Sequence, residues 1–211
     1  MNNDYYILEE GDKKGPFTFD ELVAMEIDLH ARVLSPQADT WEDACDLPEF
    51  YEYFGSIGII FPTEDNLASF WWRLLAFFID LFLISFLLSF LITVFDPKLI
   101  KVLDPKLIMN TTKFYAERQI ISYLTFGVFI LYNTLFEASG LKGTLGKKLC
   151  KLVVVDGDGV GPTFFMSLSR NLGKGITMYF LFGIGFLSIF WSQYRQGMHD
   201  YLAKTFVLRV E

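Results

Sequence analysis

The feature that most constrains this chain is an apolar run from Phe70 to Phe95, 26 residues in which the charged side chains are Arg73 and Asp80. At ~1.5 Å per residue, a helix of this length rises about 39 Å, which exceeds the ~30 Å hydrocarbon thickness of a bilayer. Trp71 and Trp72 stand at its start, as interfacial aromatic residues do at the ends of membrane spans. The run therefore predicts a membrane-spanning helix.

Composition divides the chain into two unlike parts. The whole chain is 52% hydrophobic with 23 phenylalanines, too rich for one water-soluble domain of this size. Residues 1–66 carry 16 acidic and 3 basic side chains, whereas residues 67–211 carry 9 acidic and 15 basic ones. An acidic front and an apolar, mildly basic back favour a soluble head joined to a membrane region that faces anionic lipid head groups.

The N-terminal residues bear on location. Met1 to Tyr6 form neither a basic segment nor an apolar one, so we expect no signal peptide there. The head is therefore expected in the cytoplasm, and the protein in the cytoplasmic (inner) membrane as a multi-pass protein. Cys45 and Cys150 lie one in each part, and we expect two reduced thiols rather than a disulfide.

Residues 1–54 predict a small α+β soluble domain. Tyr5 to Leu8 is a strand candidate, and Arg32 to Ser35 is a second one. Thr18 and Glu21 have the spacing of a capping box at the start of a short helix. We expect its core to be supplied mostly by Tyr6, Phe17, Leu22, Leu34 and Trp41.

This head resembles the second GYF-type family, whose small modules occur at the ends of bacterial membrane proteins. The resemblance is carried by Tyr5-Tyr6, by Gly15-Pro16-Phe17 followed by Glu21-Leu22, and by Trp41 followed by Ala44 and Pro48-Glu49. Better-known GYF adaptors bind proline-rich peptides through a Gly-Tyr-Phe bulge that this sequence lacks, and Met25 stands about where their tryptophan falls. The resemblance implies contact with a cytoplasmic protein partner; a passive folded cap stays open as the alternative. The partner-binding candidates are Tyr5, Tyr6, Phe17 and Trp41.

Two shorter apolar runs follow the first. Residues 119–136 predict a second span, and residues 176–191 predict either a thin third span or a re-entrant hairpin that turns at its central glycines. A valine-rich strand candidate at 152–155 needs a partner, and residues 205–210 offer one on the same side of the membrane. This pairing and the positive-inside rule favour the hairpin.

The predicted fold class is an α-helical multi-pass membrane domain with a small α+β soluble N-terminal domain. The membrane domain has two clear spans, a third span or re-entrant hairpin, and a small cytoplasmic β-hairpin. With the head inside, the polar loop at 96–118 is external. The predicted boundaries are 1–54 for the head, 55–68 for a linker and 69–211 for the membrane domain, with spans at about 70–95, 119–136 and 176–191.

Asp80 is the centre of interest because it lies inside the first span, where a carboxylate costs roughly 2.5–3.5 kcal/mol to insert. Arg73 lies seven residues earlier, which at about 100° per residue returns it to the same helix face. About 10.5 Å along the axis separates the two, so we expect a third partner, for which Arg170 and the His199-Asp200 pair are candidates. A polar lock that holds helices in register and a proton or cation site both stay open.

Three of these residues match the signature of the RDD family, which is named for one arginine and two aspartates. They are Arg73 at the start of the first span, Asp80 within it, and Asp200 near the C terminus. Further matching stretches occur in the expected order: Gly143 to Lys148, Leu152 to Asp156 with Gly159, Ser169 to Leu172, and His199 to Thr205. The resemblance covers about residues 68–210. It implies an integral membrane protein of largely undefined role; some members are associated with sodium–proton antiport.

Several kinds of site are excluded by the sequence. His30 and His199 are the two histidines of the chain, too few for a catalytic zinc site. Gly140 to Lys148 lacks the glycine spacing and the hydroxyl residue of a phosphate loop. We therefore expect no enzyme activity, no catalytic residues, no metal, no cofactor and no nucleic-acid partner.

Two functions remain. The first is solute or cation/proton transport across the lipid bilayer through a polar centre, and the second is a membrane-anchored adaptor whose head recruits a protein partner. Because two or three spans are few for a solute path, transport predicts a homo-oligomer. The polar centre is predicted to contain Arg73, Asp80, Arg170, His199 and Asp200.

Overall fold

The computed structural model describes residues 4–95, 111–180 and 183–210, which form two compact units. Unit 1 comprises Met1–Phe61 together with Asp158–Val160, and unit 2 comprises Pro62–Gly157 and Gly161–Glu211. Unit 1 thus ends at Phe61, beyond the boundary expected at residue 54.

Unit 1 is a four-stranded antiparallel sheet with short helices, in which the second strand along the chain lies at one edge and is followed by the first, the third and the fourth. Thr18 Oγ1 accepts a hydrogen bond from Glu21 N, and Glu21 Oε2 accepts one from Thr18 N at 2.8 Å, which confirms the capping box. After Glu9 the chain turns at Glu10-Gly11 and continues as an edge strand, where lysines and proline are tolerated. The elements are β1 (Tyr5–Glu9), β2 (Asp12–Phe17), α1 (Phe19–Ala24), β3 (Arg32–Leu34), β4 (Glu42–Asp43) and α2 (Tyr51–Ser56).

The core of unit 1 differs from the expected one. Leu22 is buried as predicted, but Tyr6, Phe17, Leu34 and Trp41 are half-buried. Successive side chains of a strand point to opposite faces. The prediction that Tyr6 and Leu34 are core residues therefore assigned the wrong face of β1 and β3 to the core. The buried cluster consists of Tyr5, Leu22, Ile27, Val33, Ala44, Leu47, Phe50 and Phe54.

Unit 2 is mainly helical. Its first helix has the predicted bounds of the first span and, among the described residues, is the one helix long and apolar enough to cross a membrane. A stripe of exposed apolar side chains follows one face of this helix: Trp71, Leu75, Phe78, Phe82, Phe86 and Phe90. The multi-pass arrangement stays a prediction. The elements are α3 (Phe70–Phe95), α4 (Thr111–Glu137), α5 (Leu145–Leu149), β5 (Leu152–Val155), α6 (Phe164–Phe180), α7 (Ile184–Leu187), α8 (Met198–Leu202) and β6 (Phe206–Arg209).

Strands β5 and β6 pair antiparallel, with Leu152 opposite Arg209, as the sequence predicted. They form a two-stranded sheet but not the expected β-hairpin, because α6, α7 and α8 lie between them in the chain. The sheet is tied to the start of α3: Ala68 N donates to Val207 O at 2.9 Å, and Arg209 N donates to Asn66 O at 2.7 Å. The start of α3 and both strands therefore lie at one end of unit 2.

The third apolar run, residues 176–191, reverses its direction. Gly183 has a φ of +82°, and its N–H donates to Thr177 O at 3.0 Å. Helix α7 packs closely against α6: a Cβ added at Gly185 would lie only 2.6 Å from Thr177 Cγ2. The reversal favours the hairpin over a single third span.

Candidate functional site

Asp200 is a fully buried carboxylate that binds donors from three elements. Its Oδ2 accepts from Arg73 Nη1 of α3 at 2.7 Å, and its Oδ1 accepts from Arg170 Nε of α6 at 2.7 Å. Its Oδ2 also accepts from Gly197 N at 3.1 Å, because Asp200 is the third residue of α8 and reaches back to its N-cap. His199 Nε2 lies 3.2 Å from Oδ1. Four of the five predicted residues of the polar centre thus meet here.

Electrostatics in this cluster fix two protonation states. Burial alone would raise the pKa of Asp200, but Arg170, His199 and Arg73 outweigh it and hold that pKa well below its usual value. For His199, burial lowers the pKa by more than the neighbouring Asp200 raises it. Asp200 is therefore an anion, and His199 is neutral at pH 7.

Asp80, the fifth predicted residue, binds elsewhere. Its Oδ1 accepts from Tyr132 Oη at 2.9 Å and from Gly146 N at 2.8 Å, and its Oδ2 accepts from Thr144 Oγ1 at 2.6 Å. Asp80 does not contact Arg73 directly, because backbone and hydroxyl donors at the N terminus of α5 lie closer than the arginine two turns away. The third partners offered by the sequence, Arg170 and the His199-Asp200 pair, bind Arg73 or one another and not Asp80. The contacts of Asp80 join α3, α4 and α5, as a polar lock requires.

The residue that sequence reasoning missed is Glu137, the last residue of α4, which is fully buried. Lys147 Nζ donates to its Oε1 in a short contact, and Lys174 Nζ donates to the same oxygen at 3.2 Å. Asn171 Nδ2 donates to its Oε2 at 3.1 Å, and Arg170 Nη1 lies 3.3 Å from that oxygen. Arg170 thus links the Glu137 cluster to Asp200. The sequence contained a signal for a further buried acid. The stretches that match the RDD family hold more basic residues than the two aspartates, Asp80 and Asp200, that were predicted as the acids of the polar centre.

A cavity of about 870 Å³ lies beside these clusters, among α3, α4, α6 and α7. We call its polar end the floor: Arg73, Asp80, Asn133, Lys147, Arg170, Asn171, Lys174 and His199. The walls are apolar and include Leu74, Phe77, Phe126, Phe129, Ile130, Met178 and Phe186. Apolar walls with a few convergent polar groups and a volume of ~300–1,000 Å³ are typical of small-molecule sites.

The floor and the carboxylates behind it leave a surplus of positive charge. The cations are Arg73, Lys147, Arg170 and Lys174, and the carboxylates are Asp80, Glu137 and Asp200. Four against three leaves one positive charge when Lys174 is protonated and His199 is neutral. Burial lowers the pKa of Lys174 to about 7, so about half of the molecules carry this surplus at pH 7. Within the described part of the chain, Arg170 Nη1 and His199 Nδ1 have no hydrogen-bond partner. The arrangement suits an anion with further polar groups.

The candidate metal ligands belong to unit 1. Among the described residues, His30, Asp43 and Cys45 of unit 1 have atoms close enough to share an ion. Arg32 Nη1 already pairs with Asp43 Oδ1 at 3.2 Å, and burial raises the pKa of the Cys45 thiol. Both effects oppose cation binding.

The four aromatic residues expected to bind a partner are placed differently from one another. Tyr5 is 8% exposed and packs edge-on against Phe50 in the core, so little of its side chain is accessible to a partner. Tyr6 lies under Lys13 Nζ, 3.7 Å from the ring centroid. Phe17 and Trp41 are half-buried.

Comparisons with known proteins agree with both sequence resemblances. Residues 67–204 match the model of the RDD family, and residues 5–50 match that of GYF domain 2. The chain is similar to "Uncharacterized protein YxaI" of Bacillus subtilis (strain 168), with 29% identity over 162 residues that cover 67% of this chain and 96% of the relative. No solved structure gives a significant match.

Proposed function

This chain belongs to the RDD family, and on that premise we propose that unit 2 is a membrane transport unit that binds an anionic solute in its cavity. The observation that carries the proposal is the surplus positive charge on a buried floor. Each of the four cations contacts Glu137 or Asp200, but the cations share these two carboxylates, and charge that lacks a full counter-ion away from water is costly. An anion in the cavity removes that cost.

The same contacts disfavour a cation site. Asp200 binds two arginines, and Glu137 binds Lys147, Lys174 and Asn171. Asp80 uses both oxygens on three neutral donors. A sodium ion at any of these carboxylates would have to displace bound donors in a region that already carries net positive charge, whereas an anion meets favourable charge.

Transport needs a path as well as a site. The cavity lies beside the reversal between α6 and α7, and backbone of this kind is tolerated in a membrane where protein or a cavity covers it. Because few spans are available to enclose a path, we retain the homo-oligomer as part of the proposal. The oligomer is expected to survive purification in detergent.

The test is electrical recording from liposomes that contain the purified protein. Steps from sodium chloride to sodium methanesulfonate or octanesulfonate change the anion alone, steps from choline chloride to sodium chloride change the cation alone, and pH steps change the proton. We expect current on the anion steps, reduced about tenfold in Lys174→Gln as a charge-assisted hydrogen bond is lost. Lys148→Gln removes the same charge from an exposed neighbour and is expected to keep the current.

Two results would count against anion transport. Current on the sodium or pH steps with none on the anion steps would favour the cation or proton site. Absence of current on every step, from protein that remains folded and inserted, would leave unit 2 as a binding or structural module.

One observation favours the adaptor as a second candidate. Ile57 is 56% exposed and lines a concavity of unit 1 together with Val23, Ile27 and Ile59. With 16 acidic side chains against 3 basic ones before residue 67, the preferred partner is a basic amphipathic segment. A photo-crosslinking residue at position 57 of the full chain is expected to give one discrete adduct in cells. The same residue at exposed Asp20 is the control, and equal adducts at both positions would exclude a specific groove.

A further inference from the structure

We propose that the ligand of the cavity is a lipid with one acyl-chain region, one negative charge and a hydroxyl on its head group, as in a phosphoglycerol lipid. The inference rests on the proposed function and names the substrate class of the same site. The acyl chain lies along the walls, and the head group lies on the floor.

The walls define the apolar part of the ligand. On α4 the lining runs from Asn133 at the floor to Ser122, eleven residues or about 16 Å at ~1.5 Å per residue. On α6 it runs from Arg170 to Met178, about 12 Å in the same measure. The two helices are joined at the polar end by Asn171 and Thr134, 3.4 Å apart between Nδ2 and Oγ1. The cavity is therefore elongated, with charge at one end.

A small hydrophilic anion fills this shape poorly. It would occupy the floor and leave aromatic walls such as Phe77 and Phe129 in contact with water, at a cost of roughly 25 cal/mol per Å² of apolar surface. An acyl chain covers those walls. Ser122 and Met178, at the far end, are exposed, so the cavity opens on the flank of unit 2, where a chain enters from the bilayer.

The floor defines the head group. Arg170 is 2% exposed, His199 is 4% exposed, and both line the cavity. Arg170 Nη1 makes no hydrogen bond among the described residues, although it lies 3.3 Å from Glu137 Oε2, so it retains the capacity to donate to an anionic oxygen in the cavity. A single negative charge also balances the surplus of the site, whereas a dianion would reverse it.

The free nitrogen of His199 calls for a donor. Its Nε2 lies 3.2 Å from the Asp200 carboxylate, which only accepts hydrogen bonds, so Nε2 carries the proton of the neutral ring. Its Nδ1, which has no partner in the described part of the structure, is then an acceptor. A hydroxyl on the head group supplies the missing hydrogen, and a simple phosphodiester or carboxylate does not.

The experiment is native mass spectrometry of the full-length protein, released from nanodiscs that contain equal amounts of phosphatidylglycerol, phosphatidylmethanol and phosphatidylcholine. Phosphatidylmethanol has the same charge as phosphatidylglycerol but no head-group hydroxyl. We expect phosphatidylglycerol adducts to exceed phosphatidylcholine adducts about tenfold and phosphatidylmethanol adducts severalfold, as one hydrogen bond predicts. Equal adducts of all three lipids would overturn the proposal, and equality of the two anionic lipids would overturn the hydroxyl contact.

Matched variants separate floor from wall. Lys174→Gln is expected to lower the phosphatidylglycerol adduct about tenfold, while Lys148→Gln leaves it unchanged. Ile130→Trp fills the wall, and Leu131→Trp places the same side chain on an exposed neighbour that does not line the cavity. We expect Ile130→Trp to lose the phosphatidylglycerol adduct and Leu131→Trp to retain it. Equal amounts of adduct in the two variants would overturn the contact between the acyl chain and the wall.

A competition on the unmodified protein covers the case in which Ile130→Trp fails to fold. Dodecanesulfonate is expected to displace phosphatidylglycerol, and methanesulfonate at the same concentration is not; equal displacement would refute the chain contact. The two proposals fail separately. Methanesulfonate-driven current without lipid adducts overturns the lipid class and leaves anion transport standing. Lipid adducts with no current on any anion step, octanesulfonate included, leave the lipid site standing and refute transport of soluble anions.

Discussion

At the scale of single residues, each buried carboxylate in the described part of unit 2 is held by donors from elements that are distant in the chain. Asp200 joins α3 to α6, Glu137 joins α4 to α5 and α6, and Asp80 joins α3 to α4 and α5. Removing one partner of such a buried group leaves the other unsatisfied, which costs more than the net value of the contact. Single substitutions here therefore act on the packing of whole helices.

His199 is expected to make stability depend on pH near neutrality. Burial lowers its pKa below the unfolded value of about 6.5, while Asp200, Lys174 and Arg170 face the ring. The unfolded chain then binds more protons than the folded one, so stability is full above about pH 6.5 and is lost as pH falls toward the folded pKa. We expect the melting temperature in detergent to fall between pH 7.5 and pH 5.5, and His199→Gln to flatten this slope. If the substitution leaves the dependence of melting temperature on pH unchanged, a group other than His199 causes that dependence.

Asp80→Asn is expected to destabilise unit 2 by about 1.5–3 kcal/mol, the value of hydrogen bonds to a charged group. The amide keeps the size of the side chain but replaces one acceptor oxygen by a donor that faces the hydroxyls and backbone N–H of the α5 turn. Thermal unfolding measures the loss, and Glu64→Gln, which removes a charge from an exposed position, is the control. An unchanged melting temperature would contradict the role of Asp80 as a lock that joins α3, α4 and α5.

Sequence periodicity located Asp80 and Arg73 on one helix face and indicated that Asp80 needs a third partner, but it did not identify that partner. Pairing depends on which chain segment approaches that face, and the donors of the 144–146 turn are distant in sequence. Glu137 escaped notice for a related reason. It follows the apolar run by one residue, where an acid normally reaches water, and its burial results from the approach of Lys147 and Lys174.

At the scale of elements, the short helix α5 is docked against α3 through a glycine. A Cβ added at Gly146 would lie 2.4 Å from Ala76 O and 2.8 Å from Asp80 Oδ1. Gly146→Ala is therefore expected to destabilise unit 2 by about 1–3 kcal/mol through overpacking, although alanine favours a helix more than glycine does. Gly140→Ala meets no atom within 4 Å and is expected to be neutral. Chemical unfolding compares the two, and a neutral Gly146→Ala would mean that α5 lies farther from α3.

The elements that the sequence predicted well are those with a local signal. Helix α3 follows from an apolar run, the α1 cap from Thr18 and Glu21, and the chain reversal near Gly183 from glycines in a short run. Strand β2 was missed because an edge strand has no buried face to mark it, and its charged residues resemble a turn. The β5–β6 pair was found because an unpaired strand is disfavoured, an argument that does not depend on sequence separation.

At the scale of the whole molecule, the sheet of β5 and β6 constrains how unit 2 lies in a membrane. Paired strands cannot lie on opposite sides of a bilayer, so the segment between them returns to the side from which it started. The start of α3 is bound to the same sheet through Ala68 and Asn66. One membrane face is therefore expected to carry the start of α3, the loop after β5 and the C-terminal strand.

This arrangement is testable with single cysteines in a chain in which Cys45 and Cys150 are replaced by serine. We expect Glu64→Cys, Gly157→Cys and Arg209→Cys, all at exposed positions, to react with a membrane-impermeant maleimide from the cytoplasmic side. Lys101→Cys, in the loop that the sequence predicts to be external and that lies outside the described residues, is expected to react from the opposite side. Reaction of positions 157 and 209 from opposite sides would separate β5 from β6. It would also make residues 176–191 a single crossing, and the cavity, which depends on the reversal between α6 and α7, would lose the wall that Phe186 supplies.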